Sequence, residues 1–228
     1  GSLTAHGGSI RIANEAIGDA ETSRNFDKDG NNLGVSVWIG DRGLLDVSGQ
    51  AYQAIDAGGR AYGKAGDGGT IAIGGATAFV IVRPGAELNA DGAAAVIDTR
   101  ASPPTRPGDG TLVLAGNGGT ISFGSGSGLY LDGDFHARGA GPGAAGGSLS
   151  VALDTLAYPD LDAKVPDRVL VPSIFVVAQA AGPSTLADNL SPGEAGGLAF
   201  GHARLGADKV HAGGFGTLSL SSGDYMQF

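Results

Sequence analysis

Two rows of residues in this chain could do chemistry, and both exist only if short strands stack in register. Asp46, Asn89 and His136 hold equivalent places in three segments of similar pattern, and two residues further on come Ser48, Asp91 and Arg138. Acids, a base and a cation gathered from successive turns of a chain can perform general acid–base cleavage of a polysaccharide. A solvated outer face carries the same residue types, and Asp46 and Asp91 fall in different columns. The second row, Trp38, Ile81 and Tyr130, is apolar and aromatic. Left open, it suits a sugar ring or a partner's surface; beneath a loop it becomes core.

Other chemistry has thinner support. FDKDGNN sets Asp27, Asp29 and Asn31 at alternate positions, as in half a calcium loop. The glycine and glutamate that would complete it are replaced by Asn32 and Trp38, and an Asx-rich turn produces the same string. His6, His136, His202 and His211 lack metal-ligand spacing. There is no phosphate-loop signature and no serine in a nucleophile-elbow context. No catalytic residue, metal or cofactor is therefore expected.

The elements that must position these rows announce themselves by repetition. DGGTIAIGGATAFVIVRPGAELNADG, Asp67 to Gly92, is matched by NGGTISFGSGSGLYLDGDFHARG, Asn117 to Gly139, and in its later runs by VSVWIGDRGLLDVSG, Val35 to Gly49. The first run recurs alone as GGSIRIAN at Gly7, GGSLSVAL at Gly146, GGLAFGH at Gly196 and GGFGTLSLSS at Gly213. Such self-similarity marks stacked repeats. Period-two alternation directs Ile10 and Ile12 inward, then Val37, Ile39, Leu45 and Val47. In the next unit the inward residues are Ile71, Ile73, Val80, Val82, Leu88 and Ala90. In the one after they are Ile121, Phe123, Leu129, Leu131, Phe135 and Ala137.

Between these runs lie loops of unequal length. A polar stretch follows Ile12, and longer loops follow Gly49 and Gly92, where QAIDAGG and AVIDTRA align with each other. An irregular insertion from Asp154 to Gly197 contains one strong strand candidate, Val169 to Ala178.

Composition narrows the class. The 228 residues include 43 glycines and no cysteine, and 42% are hydrophobic, which describes a foldable chain with an aliphatic core and without disulfides. A formal net charge of -9 makes nucleic acid an improbable partner. No run approaches the ~20 apolar residues of a membrane helix, so no membrane insertion is expected. Gly1 and Ser2 read as a cloning scar, and residues 3–228 as one segment of a longer protein.

Hydrogen-bond accounting then selects an architecture. A strand of a few residues that ends in a glycine corner cannot pair with its sequence neighbour; it must pair, in parallel, with its equivalent one repeat away. The expectation is an all-β, right-handed parallel β-helix of about five to six coils with protruding loops. Glycine corners would use positive φ. A β-sandwich would want hairpin dipeptides and long alternating strands.

The Gly-Gly-Thr-Ile runs, VWIGDRGLLDVSG and above all HARLGADKVHAGGFGTLSLSS make the chain, from Gly7 to Ser222, resemble the late shaft of the filamentous haemagglutinin family of two-partner secreted exoproteins. That resemblance implies a right-handed β-helix, export through an outer-membrane partner transporter, and a secreted or cell-surface location. It also implies adhesion, biofilm formation or contact-dependent inhibition as the parent's role, with a host-cell or biofilm glycan or protein as receptor. It brings no catalytic residues. The expected function is a non-enzymatic shaft and binding segment. The rivals are a β-helical carbohydrate-active enzyme using Asp46, Asp91, His136 and Arg138, and a self-association module.

Overall fold

The computed structural model describes residues 1–14, 34–99, 110–155, 173–180 and 186–228. The candidate calcium ligands Asp27, Asp29 and Asn31 lie outside the described residues, as does the start of the Val169 to Ala178 strand.

The chain is mostly strand, and the strands fall into a repeating order. After β1 (Ser2–Thr4), a first pass consists of β2 (Ser9–Asn14), β3 (Ser36–Ile39) and β4 (Leu44–Asp46). A hairpin follows, β5 (Ala51–Ile55) with β6 (Ala61–Ala65). The second pass is β7 (Thr70–Gly75), β8 (Phe79–Val82) and β9 (Glu87–Asn89), followed by a second hairpin, β10 (Ala94–Asp98) with β11 (Thr111–Ala115). The third pass is β12 (Thr120–Ser125), β13 (Gly128–Leu131) and β14 (Asp134–His136). Then come β15 (Ser148–Leu153), β16 (Ile174–Ala178), β17 (His202–Gly206), helix α1 (Ala207–Ala212), β18 (Thr217–Ser222) and β19 (Tyr225–Gln227).

Corresponding strands of each pass stack in parallel. One sheet runs β18-β15-β12-β7-β2, a second β19-β16-β17-β13-β8-β3 and a third β1-β4-β9-β14. In the first, Ile10, Ile71, Ile121, Leu149 and Leu218 stand in one register column. Ile71, Ile121 and Leu149 are wholly buried. The inward residues read from alternation, among them Val80, Val82, Leu88, Ala90, Phe135 and Ala137, share one continuous core with them. Each large aliphatic side chain removed from water there contributes about 1.5–3 kcal/mol. These parallel sheets are compatible with a parallel β-helix.

Positive φ, expected at glycine corners, occurs in the pairs at Gly7 (φ 62) and Gly214 (φ 68), but three other Gly-Gly pairs have a different cause. Gly69, Gly119 and Gly147 do not have positive φ. They stack on one another: a Cβ on Gly69 would overlap the Gly8 carbonyl oxygen, one on Gly119 that of Gly69, and one on Gly147 that of Gly119. The second glycine of each of these pairs leaves room for the backbone of the preceding pass. Positive φ is used elsewhere, as at Gly85 (φ 86) in the turn from β8 to β9.

Three further expectations need correction. The loops after Gly49 and Gly92 hold antiparallel hairpins, pairing Ala54 with Tyr62 and Val96 with Val113. In the first of them Asp56 closes the turn by accepting bonds from the Gly58 and Arg60 amides at 2.8 and 3.0 Å. GGLAFGH is not a first-sheet run: Gly197 and Gly201 have positive φ, and the strand that follows, β17, joins the second sheet. Strand order there is not sequential, since β17 lies between β13 and β16. The short helix α1 leaves the chain mostly β, and its Lys209 Nζ donates to the Asp132 and Gly133 carbonyls at 2.9 Å beside the last strand of the third sheet. No helix among the described residues is long and apolar enough to cross a membrane.

Candidate binding site

The third sheet brings the polar row together. Asp46, Asn89 and His136 are register partners on β4, β9 and β14. The first two do backbone work: Asp46 Oδ1 accepts from the Ser48 amide and Asn89 Oδ1 from the Asp91 amide, both at 2.9 Å. These are stacked Asx turns. In the third pass His136 replaces the Asx residue, and Asp91 supplies the missing acceptor from the turn after β9, with the Arg138 amide donating to its Oδ1 at 2.5 Å.

His136 is braced from both sides. Its Nδ1 lies 2.9 Å from Asp91 Oδ2 and its Nε2 lies 3.3 Å from Glu87 Oε1. The Arg138 guanidinium donates to the Ala212 carbonyl at 2.7 Å and lies 3.5 Å from Asp91 Oδ2. At the other end of the row His6 Nδ1 sits 3.3 Å from Ser48 Oγ. An open depression of about 460 Å³ adjoins His136, Arg138 and Lys209. A general base must present a free nitrogen to the proton it takes. Both ring nitrogens of His136 already face carboxylates. Among the described residues no three acidic or histidine side chains are placed to hold a metal ion.

The second row is aligned as expected, Trp38 with Ile81 and Ile81 with Tyr130, but it is not an open strip. Ile81 and Phe79 are wholly buried, and they form a second apolar cluster with Leu186, against which Leu190, Leu198 and Phe200 also pack. Strand β8 is thus buried on both faces. The expected binding strip is corrected to a covered seam, because the 186–200 segment closes over it. The Ala199 amide donates to Tyr130 Oη at 2.6 Å, and the hydroxyl donates to the Gly197 carbonyl at 3.4 Å. Burial pushes the Tyr130 phenol up, assisted by the charge of Asp132, while the Ala199 bond opposes the shift.

What remains accessible is the edge of this seam. Trp38, half-buried, lines a depression of about 370 Å³ with Arg83, Pro84, Asp41, Asp188 and Pro192 among its walls. Arg83 follows β8 and is only 7% exposed. Its guanidinium carbon lies 5.6 Å from the Trp38 ring centroid, and Nη2 donates to the Ala187 carbonyl at 3.1 Å. Nη1 is buried and has no hydrogen-bond partner among the described residues.

Sequence reasoning found Trp38 but missed Arg83 and Glu87. Glu87 was recoverable, since it alternates with Leu88 and so must point outward with Asn89. Arg83 gave one usable signal, its place immediately before a Pro-Gly corner. No protein-family model, curated protein or solved structure matches this chain.

Proposed function

We propose that the chain is a right-handed parallel β-helical segment of a secreted or cell-surface exoprotein, serving as a shaft that presents binding surfaces and catalyses nothing. The observation that carries this reading is the register column Ile10–Ile71–Ile121–Leu149–Leu218. Equivalent strands placed above one another, each sheet displaced by a corner from the next, build length before they build a cleft. The polar row supports the same reading, because its carboxylates and its imidazole are engaged in holding turns and neighbouring strands. The resemblance to the filamentous haemagglutinin shaft adds export through an outer-membrane transporter and adhesion to a glycan or protein receptor.

One observation favours a second reading, a carbohydrate-active enzyme: the Glu87–His136–Asp91 group borders an open depression. The two are separated by incubation with neutral and acidic polysaccharides. The shaft reading predicts retention of some of them without release of reducing ends. Release that is abolished in His136→Ala would overturn it.

A further inference from the structure

We infer that the depression between Trp38 and Pro192 is a binding site for a carboxylated sugar, a hexuronate unit of an acidic glycan. The inference rests on the binding-segment reading and gives it a ligand class. It starts from a buried cation that no carboxylate among the described residues pairs with. Arg83 is buried at 7% exposure with Nη1 unpartnered, and although Asp41 and Asp188 line the same depression, neither forms an ion pair with it among the described residues. A buried guanidinium with an idle donor is costly unless an anion or acceptor completes its set. Among the cationic side chains a guanidinium is the one best matched to a carboxylate.

The walls specify the remainder of the ligand. Trp38, Pro84 and Pro192 offer flat apolar surface of the kind that meets the C–H face of a pyranose ring. The carboxylates of Asp41 and Asp188 disfavour a doubly charged anion such as phosphate more than a singly charged one, and they accept hydrogen bonds from hydroxyls. One carboxylate for Arg83, several hydroxyls for two aspartates and an apolar ring face for Trp38 together describe a uronic acid. The volume, about 370 Å³, lies at the small end of ligand pockets, roughly 300–1,000 Å³. The pocket is built from the end of β3, one Pro-Gly corner and the 186–192 segment, at the edge of the covered seam.

Trp38 is the single tryptophan, so its fluorescence reports this depression and the seam beside it. Titrating the whole chain with a galacturonate trisaccharide, its methyl ester and neutral galactotriose tests the proposal without altering the protein. The expected result is a saturable change with the free acid, weakened at least tenfold for the ester and for the neutral sugar. Arg83→Gln should abolish the change and Arg83→Lys weaken it, with circular dichroism confirming the fold. No saturable response to the free acid at millimolar concentration, or an equal response to all three sugars, would overturn the site. Release of reducing ends from the trisaccharide would instead overturn the non-enzymatic reading and leave the site standing.

Discussion

Strands β7 and β8 belong to the same pass of the chain, yet they are buried in different ways. β7 turns Ile71 and Ile73 into the core while its alternate residues are half-buried or exposed, as a strand with one covered face should. β8 is buried at every position, with Val80 and Val82 in the main core and Phe79 and Ile81 in the smaller cluster beneath the 186–200 segment. The first kind of burial is written locally, in the alternation of the strand itself. The second is a contact with chain far away in sequence, which alternation does not encode.

This difference can be broken at either end. Ile121→Ala removes a wholly buried side chain from the centre of the register column and should cost about 2–5 kcal/mol, with chemical denaturation shifting as one cooperative transition. Leu186→Ala acts on the cover, where the side chain is 5% exposed. It should cost about 2 kcal/mol at most and move Trp38 fluorescence toward the red before the far-UV signal changes. If both variants melt in one indistinguishable transition, the cover and the ladder are a single cooperative unit.

The smallest effect belongs to the hydrogen bond that pins the cover. Tyr130→Phe should lower stability by about 1 kcal/mol. The phenol's folded value lies above its ordinary 10.0, so the protonated form is favoured in the folded chain. Its contribution is complete below about pH 10 and is lost as pH rises through the raised folded value. Alkaline titration should therefore loosen the cover in the parent chain, an effect that Tyr130→Phe removes.

The ladder was legible because period-two alternation and glycine-bounded runs fix the direction of each side chain before any partner is known. Ile71 over Ile121, and Asp46 beside Asn89 and His136, follow from that alone. The close backbone approach at Gly69, Gly119 and Gly147 was not legible, because a φ preference and a need for space leave the same letters. The hairpins were missed because QAYQAIDAGG alternates only weakly in hydrophobicity. The covered seam was out of reach, since nothing in GGLAFGH says that Leu198 and Phe200 pack beside Ile81 and not inside the main core. Arg83 became interesting only once its surroundings showed a guanidinium with an idle nitrogen.

The central claim, that equivalent runs from successive passes lie side by side and in register, is tested most directly by cross-linking, for which the absence of cysteine leaves a clean background. Thr70 and Thr120 are register partners on β7 and β12, whereas Ser122 stands one step along the same face. Neighbouring strands lie about 4.8 Å apart, within the span a disulfide bridges, while the diagonal step is on the order of 8 Å. Oxidation should join Thr70→Cys to Thr120→Cys rapidly and leave the Thr70→Cys, Ser122→Cys pair largely reduced. Equal yields from the two pairs, or faster closure of the diagonal one, would contradict the ladder on which the fold and both sites stand.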